Sequence, residues 1–248
     1  MSKIFEAKYT VTEAMTDGYE RLHPAVLLYL VQETAGKQCV ELGVEDAKLN
    51  GFFWAVLRYR VEVDRMPRLG ETITLRTWPM PATRAAYPRA AEAVDENGNR
   101  LFRLVSLWVL MDSNTRQMAL PSRSGVVVPG ILTGTELEIP AGIRAVPAEK
   151  LTARIVTEYE IDKNQHMNNT MYLSWAMELL PRNVEKEHEL KAFTACYFSE
   201  AKFDDELALC WTLGQDNSMY LDSYRINGDE VDKGDRVFST QMEFNVVM

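Results

Sequence analysis

The sequence has little of several things that would assign a chemistry at once. Its three cysteines, Cys39, Cys196 and Cys210, are widely spaced and form no CxxC pair. Neither a disulfide framework nor a thiolate zinc site is therefore expected, and all three are expected to be buried free thiols. Histidine is equally scarce: only His23, His166 and His188 are available for imidazole chemistry. No GxSxG, P-loop, GxGxxG or HExxH pattern occurs, which sets aside nucleophile-elbow hydrolases, nucleotide enzymes and zincins. No cofactor and no metal is implied. Charge and Pro break every apolar run well short of the roughly 20 residues of a membrane span. The opening segment MSKIFEAKYTVTEA has neither an apolar signal core nor Arg/Ser-rich transit character. A cytoplasmic protein with no membrane span is the expectation. Positive charge is also short. A net charge of -9 argues against nucleic acid as a partner, because phosphate binding needs a basic surface.

What is present is a globular composition and an internal repeat. The 248 residues suffice for one large domain or two ordinary ones, each with its own core. Tyr9-Thr-Val-Thr12-Glu13-Ala-Met-Thr-Asp17 recurs 145 positions later as Arg154-Ile-Val-Thr157-Glu158-Tyr-Glu-Ile-Asp162, with Thr, Glu and Asp in register. Both segments have strand character. Each is followed by a stretch that is apolar round most of a helix, as befits a buried helix. The first is 24–38, with Pro24 in the first turn and Gly43 as a stop. The second is 169–181, with Asn168 or Asn169 as N-cap and Pro181 behind it. Four strands are expected after each helix: 53–63, 71–79, 84–95 and 100–112, then 193–203, 206–215, 219–226 and 237–247. Asn97-Gly98 and Asn227-Gly228 make the matching hairpin turns. The Pro-, Gly- and Thr-rich stretch from Pro121 to Lys150 connects the halves. Strand, buried helix and four antiparallel strands, twice over, is a repeated α+β plan.

His166 stands out by its neighbours. In an extended segment Asp162, Asn164 and His166 would share one side, just before a helix N-terminus whose free N–H groups carry partial positive charge. Carboxylate, imidazole and dipole together can activate water and stabilise an oxyanion. The same residues could equally be a polar turn with a capping Asn. The matching first-half stretch, Asp17-Gly-Tyr19-Glu-Arg21, keeps the carboxylate but has neither amide nor imidazole, which points to one working site and one scaffold copy. His23 reads as a helix-entry residue, His188 as solvated and Cys196 as core.

The motif Asp162-Lys-Asn164-Gln-His166-Met-Asn168-Asn169-Thr-Met-Tyr172-Leu-Ser-Trp175 resembles the central motif of the acyl-ACP thioesterases. Residues 54–79, with the turn Asp64-Arg65-x-Pro67-x-x-Gly70, and residues 103–121 resemble further parts of the same family. The resemblance implies a double hot-dog fold and hydrolysis of fatty acyl-ACP to free fatty acid and ACP. The domains would be an N-terminal hot-dog repeat, 1–130, as non-catalytic scaffold with the acyl pocket; a linker, 131–150; and a catalytic C-terminal repeat, 151–248. Asp162, Asn164 and His166 fall on the family's catalytic carboxylate, amide and imidazole. Glu200 falls on a further catalytic carboxylate in the strand after the helix. Many plant members follow that Glu with a Cys once proposed as nucleophile; Ala201 stands there here, which favours attack by water. Glu200 is then the candidate general base. His166 and Asp162 would orient or share the proton, and Asn164 would position water or the carbonyl. Whether Glu200 or His166 accepts the proton first stays open. The acidic carrier protein would need a local basic surface, such as one including Arg58, Arg60, Arg65, Arg68, Lys186, Lys191 or Lys202. A homodimer is compatible with the sequence. The competing readings are an acyl-CoA thioesterase of the same fold and a non-catalytic acyl-binding regulator.

Overall fold

The first unit begins with strand β1 (Phe5–Thr10), which leads through a single 3-10 turn, Glu13–Met15, into helix α1 (Pro24–Leu42). The fold is that of a computed structural model, which describes residues 4–214, 218–228 and 230–246. The chain divides into two units, Met1–Pro140 and Ala141–Met248.

Local signals set the ends of α1. The His23 ring Nδ1 accepts the Ala25 N–H at 3.2 Å, Pro24 opens the first turn, and Gly43 at φ 70° closes the helix. Packing decides its place. Leu27, Leu28, Leu30 and Val31 are buried, and each such side chain contributes about 1.5–3 kcal/mol on burial. That sum outweighs the cap's contribution of about 1 kcal/mol.

Strands β2 (Phe52–Val63), β3 (Thr72–Pro79), β4 (Tyr87–Val94) and β5 (Arg100–Asp112) complete an antiparallel sheet in the order β1-β3-β4-β5-β2, and β6 (Met118–Ala119) pairs with β5. Cross-strand neighbours form buried rows. Val63, Phe102, Ala93 and Leu75 make one; Val61, Leu104, Ala91 and Thr77 the next; Tyr59, Ser106 and Arg89 a third that is polar. Arg89 reaches Gln38 of α1 at 2.5 Å and Thr77 at 3.2 Å, and burial lowers its guanidinium below the usual value.

After the short helix α2 (Pro121–Ser124) the chain runs as a strap along this unit. Ile131 N–H donates to Pro79 O, Trp78 Nε1–H to Glu136, and Arg103 and Arg58 to the carbonyls of Thr135 and Pro140. Gly130 is essential to the close approach, since an added Cβ would lie 2.3 Å from the Met80 backbone.

The second unit repeats the plan with β7 (Lys150–Ile155), the 3-10 turn Glu158–Glu160, helices α3 (Met171–Glu178) and α4 (Arg182–Glu187), and strands β8 (His188–Tyr197), β9 (Glu206–Leu213), β10 (Ser218–Asn227) and β11 (Glu230–Val246). Its sheet order, β8-β11-β10-β9-β7, matches the first unit strand for strand. Among the described residues no helix is long and apolar enough to cross a membrane.

Several expectations need correction. The segments 9–17 and 154–162 leave strand conformation after Thr10 and Ile155 and tighten into 3-10 turns. The strand expected at 84–95 starts at Tyr87. The one expected at 193–203 starts at His188 and ends at Tyr197, so Glu200 lies in a turn and not in a strand. His188 is half-buried at the α4–β8 junction, with Nδ1 3.0 Å from Val184 O, rather than fully solvated. Cys196 is buried as expected, whereas Cys39 and Cys210 are only half-buried. The expected strand ends at Gln215 and Val247 lie outside the described residues.

Candidate active site

The loop that carries the motif occurs in both units. In the second unit Asp162 N–H donates to His166 O at 2.8 Å and Gln165 N–H to Asp162 O at 3.0 Å, while Ile161 and Met167 bridge across the base. The Asp162 carboxylate accepts the Asn164 N–H at 2.7 Å, and Gln165 adopts φ 66°. In the first unit Asp17 N–H donates to Arg21 O at 2.8 Å, Asp17 accepts the Tyr19 N–H at 2.8 Å, and Glu20 adopts φ 61°. The extended row expected for Asp162, Asn164 and His166 is therefore a tight turn. The cause is local: an aspartate that bonds the backbone two residues ahead competes with strand geometry, and a left-handed residue then reverses the chain. The shared aspartate builds the loop; it is not what distinguishes the units.

The fifth residue of the loop, counted from that aspartate, does distinguish them. In the first unit Arg21 Nε lies 2.8 Å from Asp17, a buried pair between two residues of the same loop. In the second unit His166 takes that position, and its Nε2 lies 2.9 Å from the Glu200 carboxylate.

The two turns that follow β2 and β8 can also be superposed by their hydrogen bonds. Met167 N–H donates to Ala201 O and Val156 N–H to Asp205 O, as Leu22 N–H donates to Pro67 O and Val11 N–H to Glu71 O. Glu200 therefore corresponds to Met66, a buried apolar side chain. One unit has a paired imidazole and carboxylate where the other has a buried ion pair and a thioether.

The pair is open to solvent on one side: the His166 side chain is 15 % exposed and that of Glu200 42 %. Asn164 is exposed, with its amide toward Asp162 at 3.5 Å. Thus the structure brings His166 and Glu200 together directly, while Asp162 and Asn164 sit in the same turn and contact each other. Ala201 is fully buried beneath, with its carbonyl used by Met167.

Residues outside the motif hold the loop from below. Asn168 accepts both the backbone N–H and the hydroxyl of Thr170 at 3.0 Å, so the N-cap of α3 is Thr170 and not Asn168 or Asn169, and Asn168 braces the turn that leads into the helix. Tyr197 O–H donates to Asn169 O at 2.9 Å, and Tyr172 stacks on Phe238. Burial pushes the Tyr172 phenol well above its usual range, only partly offset by the Ala201 amide.

Sequence reasoning missed Glu160. This buried carboxylate accepts Thr157 N–H and Oγ1–H and the Trp175 indole N–H, while the Arg154 guanidinium lies over the Trp175 ring. The repeat contained the signal, since the equivalent first-unit positions are Met15, Leu30 and Tyr9. Of the basic residues singled out above, Arg60, Arg65 and Lys191 pair with carboxylates, and Arg58 and Arg68 bond carbonyls. Lys186 and Lys202 are exposed and lack a side-chain partner among the described residues.

Comparisons with known proteins agree with this geometry. The family described as acyl-ACP thioesterase N-terminal domain matches residues 2–120, and the one described as acyl-ACP thioesterase C-terminal domain matches residues 146–246. A palmitoyl-acyl carrier protein thioesterase of Gossypium hirsutum is 29% identical over a 210-residue alignment that covers 77% of this chain and 51% of that protein. The chain thus spans about half the length of that relative. An acyl-ACP thioesterase from Bacteroides thetaiotaomicron superposes with a TM-score of 0.88 at 24% identity, covering 99% of this chain and 100% of that one. A 12:0-ACP thioesterase from Umbellularia californica superposes with a TM-score of 0.81 at 18% identity, covering 100% and 99%. At these identities the superpositions establish the double hot-dog fold. With both domain families matched along its length, the chain belongs to the acyl-ACP thioesterase family.

Proposed function

We propose that this protein hydrolyses the thioester of fatty acyl-ACP, releasing free fatty acid and ACP, at the His166–Glu200 pair of the second unit. The observation that carries the reading is the 2.9 Å contact between His166 Nε2 and the Glu200 carboxylate, set against Arg21 and Met66 at the same positions of the first unit. Family membership supports the carrier and the bond. Glu200 takes a proton from water, and His166 holds that carboxylate in place and shares the proton. Asp162 shapes the turn that presents Asn164, which positions water or the thioester carbonyl. Water adds to the carbonyl carbon, and collapse of the tetrahedral intermediate expels the carrier's thiolate. A thiol with a pKa near 8.5 leaves with little help from an acid, so deprotonating water is the demanding step. No thiol is needed on the enzyme: Cys196 is buried in β8 and Ala201 fills the position beside Glu200.

The test is thiol release from acyl-ACPs and acyl-CoAs of graded chain length, with wild type and His166→Ala side by side. Release from acyl-ACP by wild type and its loss in the variant support the proposal. Release from acyl-CoA alone would transfer the activity to the other carrier, and release from neither would refute hydrolysis.

A further inference from the structure

Glu200 sits in a turn, and something must hold that turn still against His166. The Arg225 guanidinium, from β10, donates through Nη2 to the Glu200 carbonyl at 2.9 Å, through Nη1 to Asp205, and through Nε to Asp235 at 2.7 Å. Asp235 in turn accepts the Ser199 hydroxyl at 3.0 Å. One planar group thereby ties residues 199, 200 and 205 of the turn to β10 and β11. The pairing of β10 with β11 shifts register on both sides of Tyr224, a local irregularity of the kind that re-aims a side chain.

The first unit makes the same clamp from a different place. Arg65 Nη1 donates to the Met66 carbonyl at 3.3 Å and to Glu71 at 2.8 Å, and those are the positions equivalent to Glu200 and Asp205. There the arginine belongs to the turn that it clamps and corresponds to Ser199 of the second unit. A guanidinium that bonds this carbonyl and this carboxylate is thus common to both turns, although the chain supplies it from two unrelated positions. In the first unit it fixes a buried methionine. In the second it fixes the residue that faces His166.

We propose that Arg225 is a positioning residue for the hydrolysis described above: it locks the backbone at Glu200 so that the carboxylate stays on His166. The inference rests on that functional reading. An arginine fork can serve the carbonyl and both carboxylates at once, whereas a lysine, as a point charge, keeps the charge but loses the shared geometry. Misplacing a catalytic group by about 1 Å can cost on the order of a hundredfold in rate. In this proposal Arg225 acts on the backbone of Glu200 and not on the thioester, so its effect is expected in kcat and not in substrate binding.

The experiment compares wild type, Arg225→Lys, Arg225→Gln and the double variant Arg225→Gln/Ser199→Arg. The last returns a guanidinium from the position that Arg65 occupies in the first unit. Steady-state kinetics on acyl-ACP are normalised to folded protein, and the His166 ring is followed by NMR across a pH titration. The expected result is a fall in kcat of about tenfold or more in Arg225→Lys and Arg225→Gln, with KM within about twofold of wild type. The acid limb of the kcat profile should move to higher pH in Arg225→Gln, because Asp205 and Asp235 are then left uncompensated beside Glu200. The double variant should recover most of the lost kcat. Loss of the contact between His166 and Glu200 should move the His166 ring signals in Arg225→Gln toward those of Glu200→Gln. Unchanged kcat per folded molecule in Arg225→Lys would overturn the proposal, as would a loss confined to KM, or a His166 titration that responds to Glu200→Gln but not to Arg225→Gln. If wild type hydrolyses no acyl thioester, the functional reading fails, and the His166 titration still decides whether Arg225 governs the pair.

Discussion

Glu200→Gln separates chemistry from folding by magnitude. The substitution preserves shape and hydrogen-bonding capacity and removes the proposed base. Loss of a general base lowers the rate by roughly a hundredfold to ten-thousandfold, equivalent to about 2.7–5.4 kcal/mol of transition-state stabilisation. Its effect on folding has a much lower ceiling. Glu200 is 42 % exposed and pairs with His166 at 2.9 Å, and a pair open to water in this way typically contributes about 1 kcal/mol or less. The expected outcome is therefore a kcat on acyl-ACP reduced at least about a hundredfold, with a denaturant midpoint close to wild type. Thiol release in stopped flow and urea unfolding on the same preparation give the two numbers. Ala201→Cys supplies the contrast. The site is fully buried, so an added sulfur has no access to substrate and no gain is expected. A Glu200→Gln enzyme within a few-fold of wild type, or an acyl group trapped on Cys196 and seen by mass spectrometry during turnover, would refute water attack assisted by Glu200.

His166→Ala should remove most hydrolysis from a folded protein. Arg21→Ala should do the opposite: it breaks a buried ion pair at 2.8 Å and should cost about 3–5 kcal/mol in urea unfolding, while turnover per folded molecule holds; an equal loss of turnover would contradict a single site. Activity on acyl-ACP should fall with added salt and in Lys202→Glu, as expected of an electrostatic encounter with an acidic carrier, and salt-insensitive kcat/KM would count against it. Gly130→Ala should loosen the strap, because its Cβ would lie 2.3 Å from the Met80 backbone. Overpacking of that kind costs about 1–3 kcal/mol, and limited proteolysis within 121–140 should accelerate; unchanged proteolysis and melting temperature would show that the strap yields without strain.

Where the governing interactions are local, the sequence determined the outcome. Helix α1 begins at Pro24 and stops before Gly43 because the cap, the fixed φ and the left-handed glycine act within one turn of where they stand. The repeat of Thr, Glu and Asp at a spacing of 145 residues marked a loop that both units do build. The asymmetry between Arg21 and His166 was legible for the same reason.

Alternation was the wrong rule for Asp162, Asn164 and His166. The aspartate's bond to the Asn164 N–H and the left-handed Gln165 override strand geometry, and neither leaves a period in the sequence. What faces what across the sheet was decided only by the tertiary structure. The contact of His166 with Glu200 and the capture of the Glu200 turn by Arg225 join residues 34 and 25 positions apart, and the match of Glu200 with Met66 emerges only from the hydrogen bonds of the two turns. The spacing between the repeats falls from 145 in the loop to 134 in the turn, so one fixed offset cannot align both. Hydrogen bonds between β-turns far apart in the chain carry that second alignment, and they exist only once the strands have paired.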